Sequence, residues 1–571
     1  MSDEFQVTGT NAKSLFTLKV HRGDGMALVA MNWKKGKPPK DFVGFAIEYK
    51  EPNGDKFFAL KNRLAFPGAD GSVNANTMST RLSPIQKFRW VHFPRNAELA
   101  GEFTYKVTPV FMNAKDELSY GEPQQASIEL QRETFPGQLN VAFTRGFVSS
   151  QAFVDKFGAQ AIPQLLPTKA ALGLDFVPSL PKAADALAWM GFEARSAILD
   201  VLNQGLGDPQ AKVRLVVYDF NLPEILSILK NKKLKARVKM IIDDSGDHGP
   251  KTSAETSAFN QLKELIGADN IKRQHMGNLQ HNKMIVVDGP TLQAAVVGST
   301  NHSWRGFFVQ NNNAIILKGK DAVKLCMQAF DDYFAHDDVK GFSGTTSAIW
   351  NDLKLKGIDA QINFSPRSKK NAVLNSIGDD IAKTTSSLFF SLAFLYQTKG
   401  PIRDAIKKLQ EDDEIFSYGI SDRAVGGLDV AKPSGKVVLV EPAALAKNLP
   451  QPFKSEPTGG GGVRMHHKFV VIDFDKPTAR VYMGSFNFSG VADTSNGENL
   501  LLIKDRRVAT SYMIEAVRLF DHYEFRVAQS DAKTARSKLQ LQKPPSKATE
   551  KAWFDEDFKD ARKIKDRELF S

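Results

Sequence analysis

An internal repeat constrains the fold of this chain more than any other feature of its sequence. Residues 281–288 read HNKMIVVD and residues 465–473 read MHHKFVVID, so each stretch contains a histidine, one spacer, a lysine, four spacers and an aspartate. The histidines that keep this spacing are His281 and His466, which makes His467 the spacer of the second copy. A chain with such a repeat is expected to fold into two similar halves.

The repeat extends beyond these two stretches. The segments GSTN (298–301) and GSFN (484–487) follow the histidines by seventeen and eighteen residues, and Asn312 and Glu498 each lie fourteen residues after the glycine. From residue 136 to residue 535, apolar strands alternate with amphipathic helices, which is typical of α/β units. The apolar runs MIVVD and FVVID are predicted to be parallel strands, because such strands are buried on both faces.

The pattern of apolar, polar and turn residues along the chain predicts four regions. Residues 1–135 read as short strands separated by turn residues, the pattern of a small β-sandwich. Within them, GEFTYKVTPVFMNAKDELSYGEPQQASIEL resembles the last two strands of a fibronectin type III domain. Residues 136–345 and 346–535 contain the two copies of the repeat. Residues 536–571 are predicted to be a charged tail with an amphipathic helix packed on the body.

Composition narrows the function classes. The chain has 571 residues, of which 42% are hydrophobic, and this suits well-filled globular cores rather than disorder. The single Cys326 excludes an internal disulfide framework and fits a reducing compartment. Neither a signal peptide nor an apolar run of membrane-spanning length is found, so a cytoplasmic location is expected, with non-classical export left open. The net charge of +12 favours polyanionic partners, either nucleic acid or an anionic membrane surface.

The residue types of the repeat suit the chemistry of a phosphodiester. Side chains two apart in a strand project to the same side, so each motif presents an imidazole together with an ammonium group. Two copies facing each other across a pseudo-twofold axis would form one pocket, in which cations and amides bind the phosphate oxygens. One histidine would attack phosphorus and the other would protonate the leaving oxygen. The residues of this pocket are His281, Lys283, Asn301, His466, Lys468 and Asn487.

Other residues of the repeat are expected to have supporting roles. His467 should face away from the pocket and serve in packing or hydrogen bonding. Asp288 and Asp473 lie at an odd offset from the histidines and are predicted to secure loops rather than to contact substrate. Ser299 and Ser485 of the GSxN segments are also counted as supporting residues.

A cluster of aspartates outside the repeat raises the alternative of a metal site. The stretch IIDDSGDHG (241–249) is interpreted as a polar turn after a buried strand, because its spacing matches no standard ligand set. No metal and no cofactor is therefore expected.

The paired HxKxxxxD motifs with trailing GSxN segments resemble the phospholipase D superfamily, over roughly residues 136–535. The resemblance implies an α/β protein with two duplicated α-β-α sandwich halves, preceded here by the small β-sandwich. It also implies a metal-independent phosphodiesterase whose active site lies between the halves and whose intermediate is a phosphohistidine. Because both halves lie on one chain, the molecule would be a pseudo-dimer able to act as a monomer.

The two copies differ at one position, where the first half has Asn312 and the second has Glu498. Members of the family often carry a carboxylate there that hydrogen-bonds a catalytic imidazole, which places Glu498 among the catalytic residues and Asn312 among the supporting ones. A carboxylate partner favours imidazolium and an amide does not. We therefore expect Glu498 to form a hydrogen bond with His466. His466 would then be the general acid, and His281 would be the nucleophile.

The substrate is the least constrained property. Hydrolysis or transfer of phospholipid headgroups is favoured, because NHSWRGFFVQ (301–310) and the glycine-rich stretch 449–463 are expected to form an apolar mouth for acyl chains. The first alternative is a metal-independent nuclease or nucleic-acid phosphodiesterase. The second is a non-catalytic anion-binding scaffold, which should have lost a histidine or lysine, whereas both motifs are complete. The β-sandwich would be a docking module in either enzyme.

Overall fold

The structure is a computed structural model of the protein. It describes residues 4–68, 78–130, 133–146, 153, 156–158, 160–230, 234, 236–392, 395, 399–422, 428–431, 437–440, 465–534, 539–547 and 549–571. The glycine-rich stretch 449–463, predicted to be a loop at the mouth of the site, lies outside these residues.

The N-terminal region is a sandwich of two antiparallel sheets. Its strands are β1 (Gln6–Thr8), β2 (Phe16–Arg22), β3 (Ala27–Trp33), β4 (Phe42–Lys50), β5 (Phe58–Ala59), β6 (Arg89–His92), β7 (Glu102–Met112), β8 (Leu118–Tyr120) and β9 (Gln124–Glu129). One sheet has the order β1-β2-β3-β6, and the other has the order β5-β4-β7-β8 with β9 also paired to β7. In β2, Phe16 and Leu18 are buried while Thr17 between them is exposed, the alternation expected of a sheet with one solvated face. The likeness to fibronectin type III remains a prediction.

The first half of the α/β body is built on a seven-stranded mixed sheet with the order β10-β16-β15-β14-β11-β12-β13. Its strands are β10 (Leu139–Phe143), β11 (Lys212–Val217), β12 (Val238–Ile242), β13 (Ile271–Arg273), β14 (Met284–Asp288), β15 (Gln293–Gly298) and β16 (Asn313–Lys318). The helices of this part are α1 (Ile162–Leu165), α2 (Ala183–Gly207), α3 (Pro223–Lys230), α4 (Ala254–Ile266), α5 (Trp304–Phe308), α6 (Lys320–Ala335) and α7 (Val339–Ser343).

The second half is built on a nine-stranded sheet with the order β17-β18-β25-β24-β23-β19-β20-β21-β22. Its strands are β17 (Asn351–Asp352), β18 (Asp359–Ser365), β19 (Ser387–Leu392), β20 (Phe416–Asp422), β21 (Leu428–Ala431), β22 (Val437–Val440), β23 (Lys468–Ile472), β24 (Arg480–Gly484) and β25 (Glu498–Lys504). Its helices are α8 (Leu374–Ile381), α9 (Pro401–Gln410), α10 (Gly490–Thr494) and α11 (Arg506–Thr534). The run β18-β25-β24-β23-β19-β20 repeats the run β10-β16-β15-β14-β11-β12, so the fold is duplicated as the sequence predicts.

The direction of the motif strands corrects one expectation. Strands β14 and β23 were expected to be parallel to their neighbours, but each is antiparallel to the strands on both sides. Both faces are nevertheless buried: Met284 and Val286 point into the core that the halves share, whereas Ile285 and Val287 point into the outer core of the first half. An unbroken apolar run therefore reports burial on two faces and says nothing of strand direction.

The two halves form a pseudo-dimer within one chain, and they share a central hydrophobic core. Helices α6 and α11 contribute to this core together with the inner faces of both sheets. The outer face of the first sheet is covered by α2, α3 and α4, and that of the second sheet by α8 and α9. Each half is thus an α/β sandwich. One face of its sheet is covered by its own helices, and the other face contributes to the core that both halves share, which fixes the halves against each other.

The C-terminal segment packs on the β-sandwich and ends in the helix α12 (Ala561–Leu569). Phe554 is buried in the sandwich core, and Trp553 Nε1 donates a hydrogen bond to Phe42 O at 3.1 Å. His21 Nε2 donates to Phe570 O at 2.5 Å. No helix in the described part of the chain has the length and apolar character needed to cross a membrane. The region boundaries at residues 135, 345 and 535 remain predictions.

Arg89 on β6 joins three parts of the molecule, and this gives a test of how they are held together. Its guanidinium contacts Asp521 of α11 and Asp566 of α12, each at 2.9 Å. Burial alone would raise the pKa of Asp521, but Arg89 and Lys87 hold it below its ordinary value. We predict that Arg89→Gln lowers the free energy of unfolding by about 3 kcal/mol, because a buried carboxylate loses its main cation.

Urea denaturation measures this change. The control is Arg562→Gln, which removes an ion pair to the exposed carboxylate of Asp413 and should cost less than about 1 kcal/mol. Equal effects of the two substitutions would contradict the role given to Arg89.

Candidate active site

The two histidines of the repeated motif meet at the junction of the halves. His281 lies just before β14 and His466 just before β23, and both strands are central in their sheets. The centres of the two imidazole rings are 6.1 Å apart, and the residues are only 5% and 8% exposed. The two histidines thus lie in the approach to each strand rather than in the strand itself, and the approach directs both rings into one pocket.

The two motif lysines lie in the same pocket and are buried. Lys468 Nζ donates a hydrogen bond to His466 O at 2.6 Å, and Lys283 Nζ donates to His281 O. Burial lowers the pKa of Lys283 well below its ordinary value, and the neighbouring Lys468 lowers it further while Glu498 opposes the change. The cost of two buried ammonium groups side by side falls when an anion binds between them, so the pocket favours a bound anion.

The partners of the two imidazoles cross from one half to the other. Glu498 of the second half accepts a hydrogen bond from His281 Nδ1 at 2.7 Å. Asn312 of the first half accepts one from His466 Nδ1 at 2.8 Å, and Ser299 O lies 3.0 Å from the same nitrogen. The expectation that Glu498 pairs with His466 is therefore wrong. Sequence spacing places Glu498 within its own half but cannot tell which histidine it faces across the pseudo-twofold axis.

The serines of the GSxN segments support these partners in equivalent ways. Ser485 Oγ donates to Glu498 Oε2 at 2.7 Å, and Ser299 Oγ donates to Asn312 Oδ1 at 2.9 Å. Asn312 Nδ2 donates to Gly306 O at 2.8 Å, which turns its amide oxygen towards His466. Both acceptors are therefore held in place before any substrate binds.

The glycines that precede these serines are required by the close approach of two strands. Gly298 has φ +135° and Gly484 has φ +143°, a region that favours glycine. A Cβ at Gly298 would lie 2.6 Å from Asn313 O, and one at Gly484 would lie 2.4 Å from Asn499 O. The spacing of GSxN in the sequence thus reflects a backbone position that only glycine fits.

The environment keeps both imidazoles neutral in the free protein. Burial lowers the pKa of His281 to about 4, with Lys283 adding to the shift and Glu498 opposing it. The pKa of His466 lies well below its ordinary value because of burial, Lys468 and Lys283. Since an unfolded histidine titrates near about 6.5, the neutral His281 contributes stability above that pH which is lost as the pH falls towards 4.

The two asparagines of the GSxN segments carry amide oxygens that accept no hydrogen bond within the described part of the chain. Asn301 is only 4% exposed, and its Oδ1 is buried without a donor. The same holds for Asn487 Oδ1 in the second half. An amide oxygen accepts hydrogen bonds, so only a donor such as a hydroxyl group of a ligand could satisfy these two atoms.

The remaining motif residues lie away from the histidine pair. Asp473 accepts hydrogen bonds from the amides of Thr385 and Ser386 at 3.0 and 2.8 Å, and Asp288 accepts one from Gln293 Nε2 at 2.9 Å. His467 Nε2 donates to Glu515 Oε1 at 2.8 Å, which confirms that this histidine serves in packing and hydrogen bonding.

Tyr218 is a site residue that the motif analysis missed. Its ring centre is 4.7 Å from that of His281, and Lys283 Nζ lies 4.6 Å from the ring. It is half-buried and directly follows β11, a strand that is parallel to β12. Ligands of open α/β sheets bind beyond the carboxyl ends of parallel strands. The position of Tyr218 directly after such a strand could therefore have identified it as a site residue.

The segment NHSWRGFFVQ does not form a mouth for acyl chains. Trp304, Phe307 and Phe308 are buried in the core of the first half, and Trp304 Nε1 donates to Gly173 O at 2.9 Å. This correction follows from the capped helix α5, which turns its aromatic side chains towards the sheet. The apolar residues of this segment form the face of the helix that packs on the hydrophobic core.

The aspartate cluster at 241–249 forms a polar turn. Asp243 accepts hydrogen bonds from Ser245 N at 2.9 Å, Gln280 N at 2.7 Å and His248 Nδ1 at 2.8 Å. Within the described ranges, one group could hold a metal ion: ligand atoms of Asp219, His248 and Glu255 lie within 4.8 Å of one another. Two of these three residues lie outside the stretch, so its spacing could not have indicated the group.

Comparison with known sequences gives one family. Residues 202–334 and 445–519 match the family model described as cardiolipin synthase, PLD-like domain. The chain is 32% identical to a phospholipase D of Rickettsia bellii over 123 residues, which covers 20% of this chain and 58% of that protein. It is 48% identical to a phospholipase D of Rickettsia prowazekii over 48 residues, or 8% of this chain and 22% of the other. It thus matches only about a fifth of the length of the latter.

Two solved structures resemble parts of the chain. Phosphatidylserine synthase of Haemophilus influenzae has 13% sequence identity and a TM-score of 0.39, over 60% of this chain and 85% of that one. Nuc of Salmonella typhimurium, a phospholipase D family member, has 21% identity and a TM-score of 0.20, over 25% and 87%.

The crossed pairing gives a direct prediction for titration of the site. Glu498→Gln should move the pKa of His281 below its present value of about 4, because the carboxylate is the group that opposes burial and Lys283. An NMR pH titration of ring-labelled histidines measures it. Asn312→Ala is the control at the equivalent position of the first half, and it should leave His281 unchanged. An unchanged or raised pKa of His281 in Glu498→Gln would contradict the pairing.

Proposed function

The chain belongs to the phospholipase D superfamily, and from this premise we propose that it is a phosphodiesterase that hydrolyses or transfers phospholipid headgroups. The proposal includes a covalent phosphohistidine intermediate and a single chain as the active unit. One observation carries it: His281 and His466 face each other with ring centres 6.1 Å apart, and each Nδ1 is engaged by a partner from the other half. This arrangement leaves both Nε2 atoms for chemistry at one phosphorus.

His281 is the nucleophile in this proposal, for a reason other than the one the sequence suggested. Its hydrogen bond to Glu498 fixes the tautomer with Nδ1 protonated and the Nε2 lone pair free, and burial keeps the ring neutral. When Nε2 bonds to phosphorus, the ring becomes positive and the carboxylate stabilises that charge. His466 has neutral oxygen partners, so its protonated form gives up the proton more readily and suits the general acid.

The reaction then balances in two steps. In the first, Nε2 of His281 forms a bond to phosphorus, the bond from phosphorus to the leaving oxygen breaks, and that oxygen takes the proton from Nε2 of His466. In the second, the oxygen of water or of another alcohol attacks phosphorus, the phosphorus–nitrogen bond breaks, and the proton of the attacking oxygen passes to His466.

The charged and amide groups of the pocket would bind the phosphate. Lys283 and Lys468 offset the charge on the non-bridging oxygens, and a bound anion also raises the pKa of His466 so that it can carry a proton. Asn301 and Asn487 would donate hydrogen bonds to the same oxygens through their amide nitrogens. These four side chains supply the electrostatic stabilisation, so the proposal needs no metal and no cofactor.

A lipid substrate is favoured by what the chain is similar to. The matching family model is described as cardiolipin synthase, PLD-like domain, and the Rickettsia relatives are named phospholipase D. The cavity that borders Asn487 supplies no support for acyl chains, because its volume of about 20 Å³ holds about one water molecule and its apolar residues Leu392, Leu395 and Phe488 are buried.

Nucleic acid is the second candidate, and Tyr218 is the observation in its favour. Its ring is half-buried beside His281 and Lys283, where an aromatic face could stack on a base next to the scissile phosphate. The net charge of +12 agrees with a polyanionic substrate.

We predict that His281→Ala and His466→Ala each lower kcat for bis(p-nitrophenyl) phosphate by at least about a thousandfold, because the nucleophile and the acid act in one displacement. Release of p-nitrophenol measures the rate. The control is His275→Ala, which removes an exposed histidine paired with Asp244 and should leave the rate unchanged. Near-normal turnover by either site variant would contradict the shared site, and an inactive wild-type protein would support the scaffold alternative.

A paired assay decides the substrate. We predict that the protein releases choline or ethanolamine from phospholipid vesicles and leaves single- and double-stranded DNA and RNA intact, at both low and physiological salt. Headgroup release should disappear in His281→Ala and persist in His275→Ala. Cleavage of nucleic acid that depends on His281, with the vesicles left intact, would replace the lipid substrate by the nucleic-acid one.

A further inference from the structure

A second cavity lies between the β-sandwich and helix α11, and none of its lining residues belongs to the histidine pocket. Its volume is about 250 Å³. Its walls come from the loop that follows β5, from the segment around β6, from α11 and from the C-terminal segment. Two regions of the molecule therefore enclose it together, which is where small-molecule sites preferentially occur.

About half of the lining residues are apolar. They are Leu64, Ile85, Trp90, Val91, Phe93, Phe525 and Leu541. Gln86, a polar residue of the wall, is engaged by the protein itself, because its Nε2 donates to Val43 O and to Gln542 O at 3.1 and 2.7 Å. Polar residues such as Lys87 and Asp521 also line the cavity, so a hydrocarbon chain would find apolar contacts with charged groups beside them.

A cation stands at the mouth of this apolar cavity. Arg63 is exposed, and its guanidinium lies between two rings, 5.6 Å from the centre of Trp90 and 5.1 Å from that of Phe525. No carboxylate of the described residues lies within ion-pair distance of it. The stacking holds the planar group in place while its N–H donors stay available.

The other cations of the wall are already paired. Lys87 Nζ lies 3.4 Å from Asp521 and 3.7 Å from Glu524, and Arg518 forms an ion pair with Glu515. Arg63 is therefore the lining cation that forms no close ion pair among the described residues, although the Asp521 carboxylate acts on it from a longer distance. An anion at the mouth would be bound by this one guanidinium.

We propose that the cavity binds a single-chain amphiphilic anion, with a carboxylate or phosphate head on Arg63 and an alkyl chain among the apolar side chains. The volume of about 250 Å³ lies below the usual range for drug-sized ligands, which favours one chain of medium length over two acyl chains. The site is separate from the histidine pocket and does not depend on the proposed enzymatic function.

Isothermal titration calorimetry of the full chain tests the proposal with four probes. Decanoate and decyl phosphate carry the two possible heads, decanol carries the chain without a charge, and inorganic phosphate carries a head without a chain. We expect saturable one-to-one binding of at least one charged amphiphile, and binding at least about tenfold weaker for decanol and for phosphate. The stronger of the two charged probes identifies the head.

Variants of the lining connect that binding to this cavity. Arg63→Gln should weaken the charged probe about tenfold, and Val91→Trp should abolish binding by filling the space while the protein stays folded by circular dichroism. The control is Arg81→Gln, another arginine of the β-sandwich stacked on a ring, 4.5 Å from Tyr120, which should change nothing.

Four results would overturn the proposal: no saturable binding of either charged amphiphile, equal binding of decanol, equal binding of inorganic phosphate, or binding unaffected by both Arg63→Gln and Val91→Trp.

Discussion

A buried hydrogen bond joins the two halves of the chain at the centre of the candidate site. His281 Nδ1 donates to Glu498 Oε2 at 2.7 Å, and Glu498 has no exposed surface. A carboxylate in such a place is costly unless donors surround it, and Glu498 has them from both halves: His281, Ser485 Oγ at 2.7 Å and Asn496 Nδ2 at 3.3 Å. The halves must therefore be held in one fixed register, or the charge would be left buried without partners.

Much of the fold serves that register. The inner faces of both sheets and helices α6 and α11 share one hydrophobic core, so neither half can move without exposing apolar surface. Hydrogen bonds cross the junction close to the histidines as well. Asn499 Nδ2 donates to Asn282 Oδ1 at 2.7 Å, and Gly497 N donates to Leu279 O at 2.8 Å. The pocket is thus positioned by packing over a wide area and adjusted by a few polar contacts near the reacting atoms.

The sequence predicted the duplicated α/β body and the motif residues at the junction because both leave a local signal. A repeated spacing reports equivalent positions, and the glycines Gly298 and Gly484 report a backbone that no other residue fits. The sequence did not predict features that depend on contacts with another part of the chain. Glu498 faces His281 and not His466, and β14 is antiparallel to its neighbours. A pattern of apolar residues predicts burial, but it predicts neither the partner of a side chain nor the direction of a strand. The prediction for Trp304 and its neighbours was wrong for the same reason, since apolar residues occur both at a pocket entrance and in a hydrophobic core.

The central claim is that the crossed pairing makes His281 the nucleophile. Rapid quenching of the wild-type protein with a ³²P-labelled phosphodiester in alkali, where phosphohistidine survives, followed by peptide mapping, tests it most directly. The account predicts label on the peptide that contains His281 in the wild-type protein and no label in His281→Ala. Label on the peptide that contains His466 in the wild-type protein would contradict the account.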